Sequence, residues 1–261
     1  MAESDVRGTQ MTRQARLIEL RDIWFGYERK PVLEAVSLQI SAGDFLAIIG
    51  PNGGGKTTLV KIILGLLRPW SGSVKSNLSG RRGAIGYVPQ FADFDESFPL
   101  KVFDVVRMGR LGARGPRRFY SAADNDKVQR ALERLGLSAV AGAYIGDLSG
   151  GQLQRTLIAR ALVGQPEILF LDEPLGSIDP ESRISVIEAL RQLHGQIPVV
   201  VITHDITPYA GMVEQIACVN RELFYHPGSE LTEEMLEQVY GCPVELVAHG
   251  VPHRVLGEHH H

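Results

Sequence analysis

Three short runs are apolar at every position: Phe45–Ile49, Ile168–Leu171 and Val199–Ile202. Runs of four or five aliphatic and β-branched residues predict strands buried on both faces, the kind found in parallel sheets. The first leads into a glycine-rich turn and then into Lys56–Leu67, whose apolar spacing predicts a helix stopped near Pro69. Asp179-Pro180-Glu181 has the form of a helix start, with Asp as the cap and Pro at the first helical position. Strands alternating with helices in this way predict an α/β fold with a mainly parallel sheet.

Two segments break that rhythm. Leu17–Ile40, with Trp24, Phe25 and Tyr27, alternates apolar and polar positions and predicts an antiparallel β flank. From about 91 to 146 there is no strong buried strand. There Ser121-Ala122-Ala123-Asp124 predicts a capping-box start for a helix reaching about Leu135, after a loop carrying Arg110, Arg114, Arg117 and Arg118. This segment is read as a helical insert. Leu231–Tyr240 predicts a further helix closed by Gly241. The expected organisation is a flexible segment 1–16 and one domain 17–261, ending in a tail from about 242.

The 261 residues suffice for one large domain with a sizeable core. With 44% apolar and 22% charged residues, the composition excludes disorder of the whole chain. Its 27 basic and 30 acidic side chains give a net charge of −3, which argues against a surface built to grip nucleic acid. Cys218 and Cys242 are the only cysteines and lack a zinc-like spacing, so a reducing compartment is expected. No apolar run approaches the roughly 20 residues of a spanning helix, and residues 1–16 lack the apolar stretch of a secretory signal. His259-His260-His261 reads equally as a tag remnant or a native tail.

The chemistry is concentrated in two motifs. Gly50-Pro51-Asn52-Gly53-Gly54-Gly55-Lys56-Thr57 fits the phosphate-loop pattern G-x-x-x-x-G-K-[ST] between a strand and a helix. Its glycines let backbone N–H groups approach the phosphates, and the helix adds the positive end of its dipole. Lys56 is placed to reach the β- and γ-phosphates, and the Thr57 hydroxyl, followed by Thr58, to ligate Mg²⁺. The strand Ile168–Leu171 delivers Asp172-Glu173 at its carboxyl end, where ligands sit in open α/β sheets. Asp172 is expected to hold Mg²⁺ through its water shell, and Glu173 to act on the attacking water as general base.

Between these motifs stands Leu148-Ser149-Gly150-Gly151-Gln152. With it the chain resembles, from about Leu17 onward, the nucleotide-binding subunit of ATP-binding cassette (ABC) transporters. The resemblance implies a P-loop NTPase core with an antiparallel flank and a helical insert, binding ATP and Mg²⁺. It makes Tyr27 the aromatic that stacks on adenine. Gln90 becomes the residue that senses Mg²⁺ and the attacking water, and His204 the switch histidine at the γ-phosphate. Ser177-Ile178-Asp179 becomes a loop crossing a dimer interface, where Ile178 departs mildly from the usual Leu. Ser149, Gly150, Gly151 and Gln152 become a second anion cradle that serves the ATP of another subunit. The implied partners are a second copy, paired head to tail around ATP, a membrane permease at the helical insert, and indirectly a substrate-binding protein, but no nucleic acid. The implied place is the cytoplasmic face of the membrane, peripherally.

Phe98-Pro99-Leu100 and the four arginines read either as the rim of the permease groove or as a solvated basic face. Phe98–Val102, Met108-Gly109-Arg110, Val239–Pro243, His249–Arg254 and the triple Gly53-Gly54-Gly55 resemble the importer branch for zinc, manganese and related metals. His249 and His253 are read as surface residues rather than as a metal site. Other expectations are an importer of iron–siderophore or vitamin B12, and a soluble ABC ATPase on ribosomes or DNA. The single cassette and short insert disfavour that soluble class. A P-loop kinase or GTPase leaves LSGGQ unexplained.

Overall fold

The computed structural model describes residues 15–90, 99–112, 119–176, 178–227, 246–248 and 254–256. Ser177, the helix expected at Leu231–Tyr240, Cys242, His249, His253 and Arg114, Arg117 and Arg118 lie outside the described residues.

Strand β1 (Arg16–Tyr27) pairs antiparallel with β2 (Lys30–Ser41), and on its other side with β4 (Ser71–Ser76). This is the expected β flank. Between β2 and β4 come β3 (Phe45–Ile49) and helix α1 (Lys56–Ile63). The helix ends one turn before the sequence pattern does. Gly65 takes a left-handed φ of +72°, and its N–H and that of Leu66 close onto Ile62 O and Lys61 O at 3.0 and 2.8 Å. The left-handed glycine, rather than Pro69, is the stop.

The chain continues through β5 (Ile85–Val88), α2 (Val102–Met108), α3 (Ala122–Arg134), α4 (Gly150–Leu162), β6 (Ile168–Asp172), α5 (Pro180–Leu193), β7 (Val199–Ile202), β8 (Gln215–Asn220) and β9 (Glu222–Pro227). Leu246–Ala248 (β10) and Arg254–Leu256 (β11) form a separate antiparallel pair. The central sheet has six strands in the order β5-β6-β7-β3-β8-β9. All its pairings are parallel except β8 with β9.

Both faces of this sheet are covered. Leu46, Ile48, Phe170, Val200, Ile202 and Ala217 pack with α1 and the β flank. Phe45, Ala47, Leu169, Leu171, Val199 and Val201 face the other way and pack with α4 and α5 and with the insert helices. That two-sided burial is why the strands read as unbroken apolar runs rather than as alternation.

The insert is helical, as expected, and contains no named strand among its described residues. Ser121 caps α3: its hydroxyl accepts from Asp124 N–H, and the Asp124 carboxylate accepts from Ser121 N–H at 2.9 Å. Arg110 corrects the picture of an exposed arginine row. It is 8% exposed, its Nε donates to Asp124 Oδ1 at 2.9 Å, and its Nη1 lies 3.4 Å from Val163 O. This buried pair ties α2, α3 and the end of α4 together, so Arg110 is not part of a docking rim. The reason is local: Asp124 is already fixed by the cap, and a buried carboxylate requires a partner.

The Ser121 N–H and hydroxyl, with Arg110, hold the Asp124 carboxyl down to about 2. A lowered carboxyl stabilises the fold above the unfolded value near 4, and that contribution fades as pH falls toward 2. Asp124→Asn is therefore expected to lower the melting temperature clearly at pH 7 and much less at pH 2.5. An equal loss at both pH values in thermal melts contradicts the assignment.

Candidate active site

Parallel pairing levels the carboxyl ends of the central strands. Ile48 is opposite Ile202, and Ile202 is opposite Asp172. The chain therefore leaves β3 into the phosphate loop, β6 into Glu173 and β7 into His204 along one edge.

The loop turns on glycine. Gly53 and Gly55 have φ of +78° and +100°, and a Cβ on Gly55 would stand 2.7 Å from Leu33 Cδ2. That close approach sets the β1–β2 hairpin against the loop. From the other side, Arg221 N–H, in the β8–β9 turn, donates to Gly54 O at 3.2 Å. Lys56 is buried, and its Nζ donates to Gly50 O at 2.8 Å and Pro51 O at 3.0 Å. Burial lowers its ammonium group, while the charges of Glu173 and Asp172 work in the opposite direction.

Asp172 is the last residue of β6 and is 1% exposed. Its Oδ2 accepts long hydrogen bonds from Thr57 Oγ1 at 3.3 Å and the Tyr87 hydroxyl at 3.4 Å. Its Oδ1 is buried and has no hydrogen-bond partner among the described residues. Burial raises the Asp172 carboxyl, the Thr57 bond opposes this, and Glu173 adds to it. Tyr87, pushed up to about 12 chiefly by burial, stays a neutral donor.

Glu173 follows in a left-handed conformation, φ +47°. For a residue with a side chain this costs on the order of 1 kcal/mol or more and persists only where the surroundings enforce it. Here its N–H donates to Ile202 O at 2.8 Å, and Gly176 N–H donates to its carbonyl at 3.1 Å. The bend turns the carboxylate to His204, whose Nδ1 lies 3.0 Å from both oxygens. The carboxylate is largely shielded and the imidazole largely exposed.

Lys56, Thr57, Asp172, Glu173 and His204 thus share one edge, and hydrogen bonds tie Thr57 to Asp172 and Glu173 to His204. Thr58 is buried in α1 behind them. Four other expected residues have no hydrogen bond or ion pair to this group among the described residues. Tyr27 is half exposed at the hairpin end, edge-on to Phe25 at 5.1 Å between centroids. Gln90 is exposed just beyond β5. Asp179 caps α5, accepting from Ser182 N–H at 2.9 Å. Ser149 caps α4 in a reciprocal box with Gln152. Gly151 lies so close to α5 that a Cβ there would stand 2.7 Å from Ser182 Cβ. The starts of α4 and α5 therefore form one unit, with Ser149 and Gly150 at the surface.

The sequence reading gave no role to Tyr87. Its link to Asp172 follows only from the β5–β6 register, which sets Tyr87 opposite Phe170.

The chain matches the ABC transporter family profile over residues 33–176. It is 42% identical over 196 residues to the high-affinity zinc uptake system ATP-binding protein ZnuC of Bacillus subtilis, covering 72% of this chain and 84% of that protein. It is 37% identical over 238 residues to the manganese transport system ATP-binding protein MntB of Listeria monocytogenes, covering 88% and 99%. Among solved structures, an inward-facing ABC transporter superposes with a TM-score of 0.81 at 28% identity, over 93% of this chain and 98% of that one. A nucleotide-free ATP-binding cassette superposes with a TM-score of 0.73 at 22% identity, over 87% and 96%, and shares the fold.

Proposed function

The chain belongs to the ABC transporter family as an ATP-binding ATPase subunit, and from this we propose that it powers uptake of zinc or manganese through a separate membrane permease. The observation that carries the ATPase reading is the shared edge of Lys56, Thr57, Asp172, Glu173 and His204. The names of the zinc and manganese relatives support the cargo. No helix among the described residues is long and apolar enough to cross a membrane. The place we propose, from its kinship with transporter ATP-binding subunits, is peripheral, on the cytoplasmic face, docked to the permease through the helical insert.

In this reading the N–H groups of Gly50–Gly55 and the Lys56 ammonium hold the ATP phosphates. Lys56 exchanges its two carbonyl acceptors for phosphate oxygens. Tyr27, at the hairpin that adjoins the loop, stacks on adenine. Asp172 and Thr57 fit Mg²⁺: the donors are oxygen, and Asp172 Oδ1 is a buried acceptor without a partner among the described residues. When bound, the ion neutralises phosphate charge; Gln90 is its third assigned residue. Glu173 takes the proton of the attacking water, and His204 turns from Glu173 to the γ-phosphate. Ser149 to Gln152 at the exposed start of α4 contact the ATP held by a second copy, with Asp179 beside that interface. ATP then closes a head-to-tail dimer through its greater affinity for the closed state. A substrate-binding protein delivers the cargo to the permease.

Glu173→Gln is expected to keep ATP binding and slow hydrolysis by about 10²–10⁴-fold, the scale of a lost general base. Turnover near that of the unaltered protein rules out Glu173 as the base. For the cargo, total zinc, manganese and iron are measured in metal-limited host cells carrying either the unaltered protein or Lys56→Ala. Selective loss of zinc or manganese, restored by adding that metal, is the expected result. Loss of iron alone, or unchanged levels in a host without a second uptake system, contradicts the proposed cargo.

A further inference from the structure

Tyr87 lies in β5, and the parallel pairing with β6 sets it opposite Phe170. Asp172 is two residues beyond Phe170 and so on the same face of β6, about 6–7 Å further along the strand. Strand side chains lean along the strand direction, and a tyrosine ring spans such a step. The Tyr87 hydroxyl accordingly comes within 3.4 Å of Asp172 Oδ2. The ring itself packs with the core between the sheet, α1 and the β flank. Phenylalanine would keep that packing and would not reach the carboxylate.

An ionised carboxylate only accepts, so the hydroxyl is the donor. Oδ2 thus takes donors from two elements, Thr57 of α1 at 3.3 Å and Tyr87 of β5 at 3.4 Å. Both bonds go to the same oxygen, and Oδ1, equally buried, has no partner among the described residues. With Oδ2 held from two sides, a twist of the carboxylate about its Cβ–Cγ bond weakens both bonds. The Thr57 hydroxyl also has a role at the ion. Tyr87 has no such role, so its bond can stay as it is while a metal comes and goes.

We propose that Tyr87 is a positioning residue of the metal site, whose hydroxyl holds Asp172 Oδ2 so that the unpartnered Oδ1 faces Mg²⁺ and its water shell. The proposal rests on the metal role given above to Asp172. It adds a residue that touches neither the ion nor the nucleotide and acts only by orienting a group that serves the ion. Partners of this kind set the orientation of metal-binding side chains, and their loss weakens metal affinity.

The test uses the full chain, the non-hydrolysable ATP analogue AMP-PNP, and Mn²⁺ as a stand-in for Mg²⁺ that electron paramagnetic resonance can count. Tyr87→Phe is expected to weaken Mn²⁺ binding to the protein with AMP-PNP about tenfold. That is the low end of the range for such a partner, because 3.4 Å is a long bond. Affinity for AMP-PNP in chelator is expected to stay within about twofold of the parent, because the phosphate loop is untouched. Asp172→Ala is expected to lose at least as much Mn²⁺ affinity, and adding Tyr87→Phe to it is expected to cost less than about twofold more, because the carboxylate is already gone. Mn²⁺ affinity of Tyr87→Phe within about twofold of the parent, with Asp172→Ala impaired, overturns the proposal. So does a tenfold loss that persists in the Asp172→Ala background, or an equal loss of AMP-PNP affinity in chelator, which marks a loosened site rather than a misplaced carboxylate. If Asp172→Ala binds Mn²⁺ like the parent, the metal reading of Asp172 fails and the Tyr87 proposal falls with it.

Discussion

The structure depends on the parallel register of β6, β7 and β3. Because Asp172, Ile202 and Ile48 stand level, the three chains leave the sheet together. Thr57 of the phosphate loop and Asp172 are 115 positions apart and Glu173 and His204 are 31 apart, yet they need no long loops to meet. A slip of the β6 register would turn the outward and inward faces over and carry Asp172 away from Thr57. The apolar runs that made these strands recognisable are therefore also what positions the charges. Every strand residue in that trio is buried, so the register is specified from both faces at once.

The edge so formed keeps most of its polar groups occupied. Lys56 is held by two loop carbonyls, and Glu173 by His204. Asp172 keeps one oxygen bonded, and its other oxygen has no partner among the described residues. A site that must exchange partners through a cycle needs both kinds of group. Bonds that can be traded cost little to break, and bare buried atoms mark where a new partner has most to gain.

Much of this was legible in the sequence, for physical reasons that differ by element. The strands were visible because two-sided burial leaves no polar position in them. The caps at Ser121 and Asp179 were visible because helix starts have local chemistry. The phosphate loop was visible because close approach of backbone to phosphate demands glycine at fixed spacing. The fate of Arg110 was not legible, since a buried ion pair depends on how three helices pack and an arginine in a glycine-rich loop reads as exposed. The end of α1 was placed too late because a left-handed Gly65 competes with an apolar pattern that runs on to Leu67. Tyr87 was missed because its neighbour is set by strand register, not by spacing along the chain.

The central claim is that one chain carries two halves of different sites: a phosphate loop for its own ATP, and the Ser149 cradle for the ATP of a second copy. The most direct test is to mix two inactive variants. Lys56→Ala lacks the loop function and keeps the cradle. Ser149→Arg blocks the cradle and keeps the loop. Each alone is expected to hydrolyse ATP at background rate, and a mixture of the two is expected to regain activity, because one of the two sites in each mixed pair is intact. A mixture as inactive as its components, with mixed pairs shown to form, would contradict the shared site.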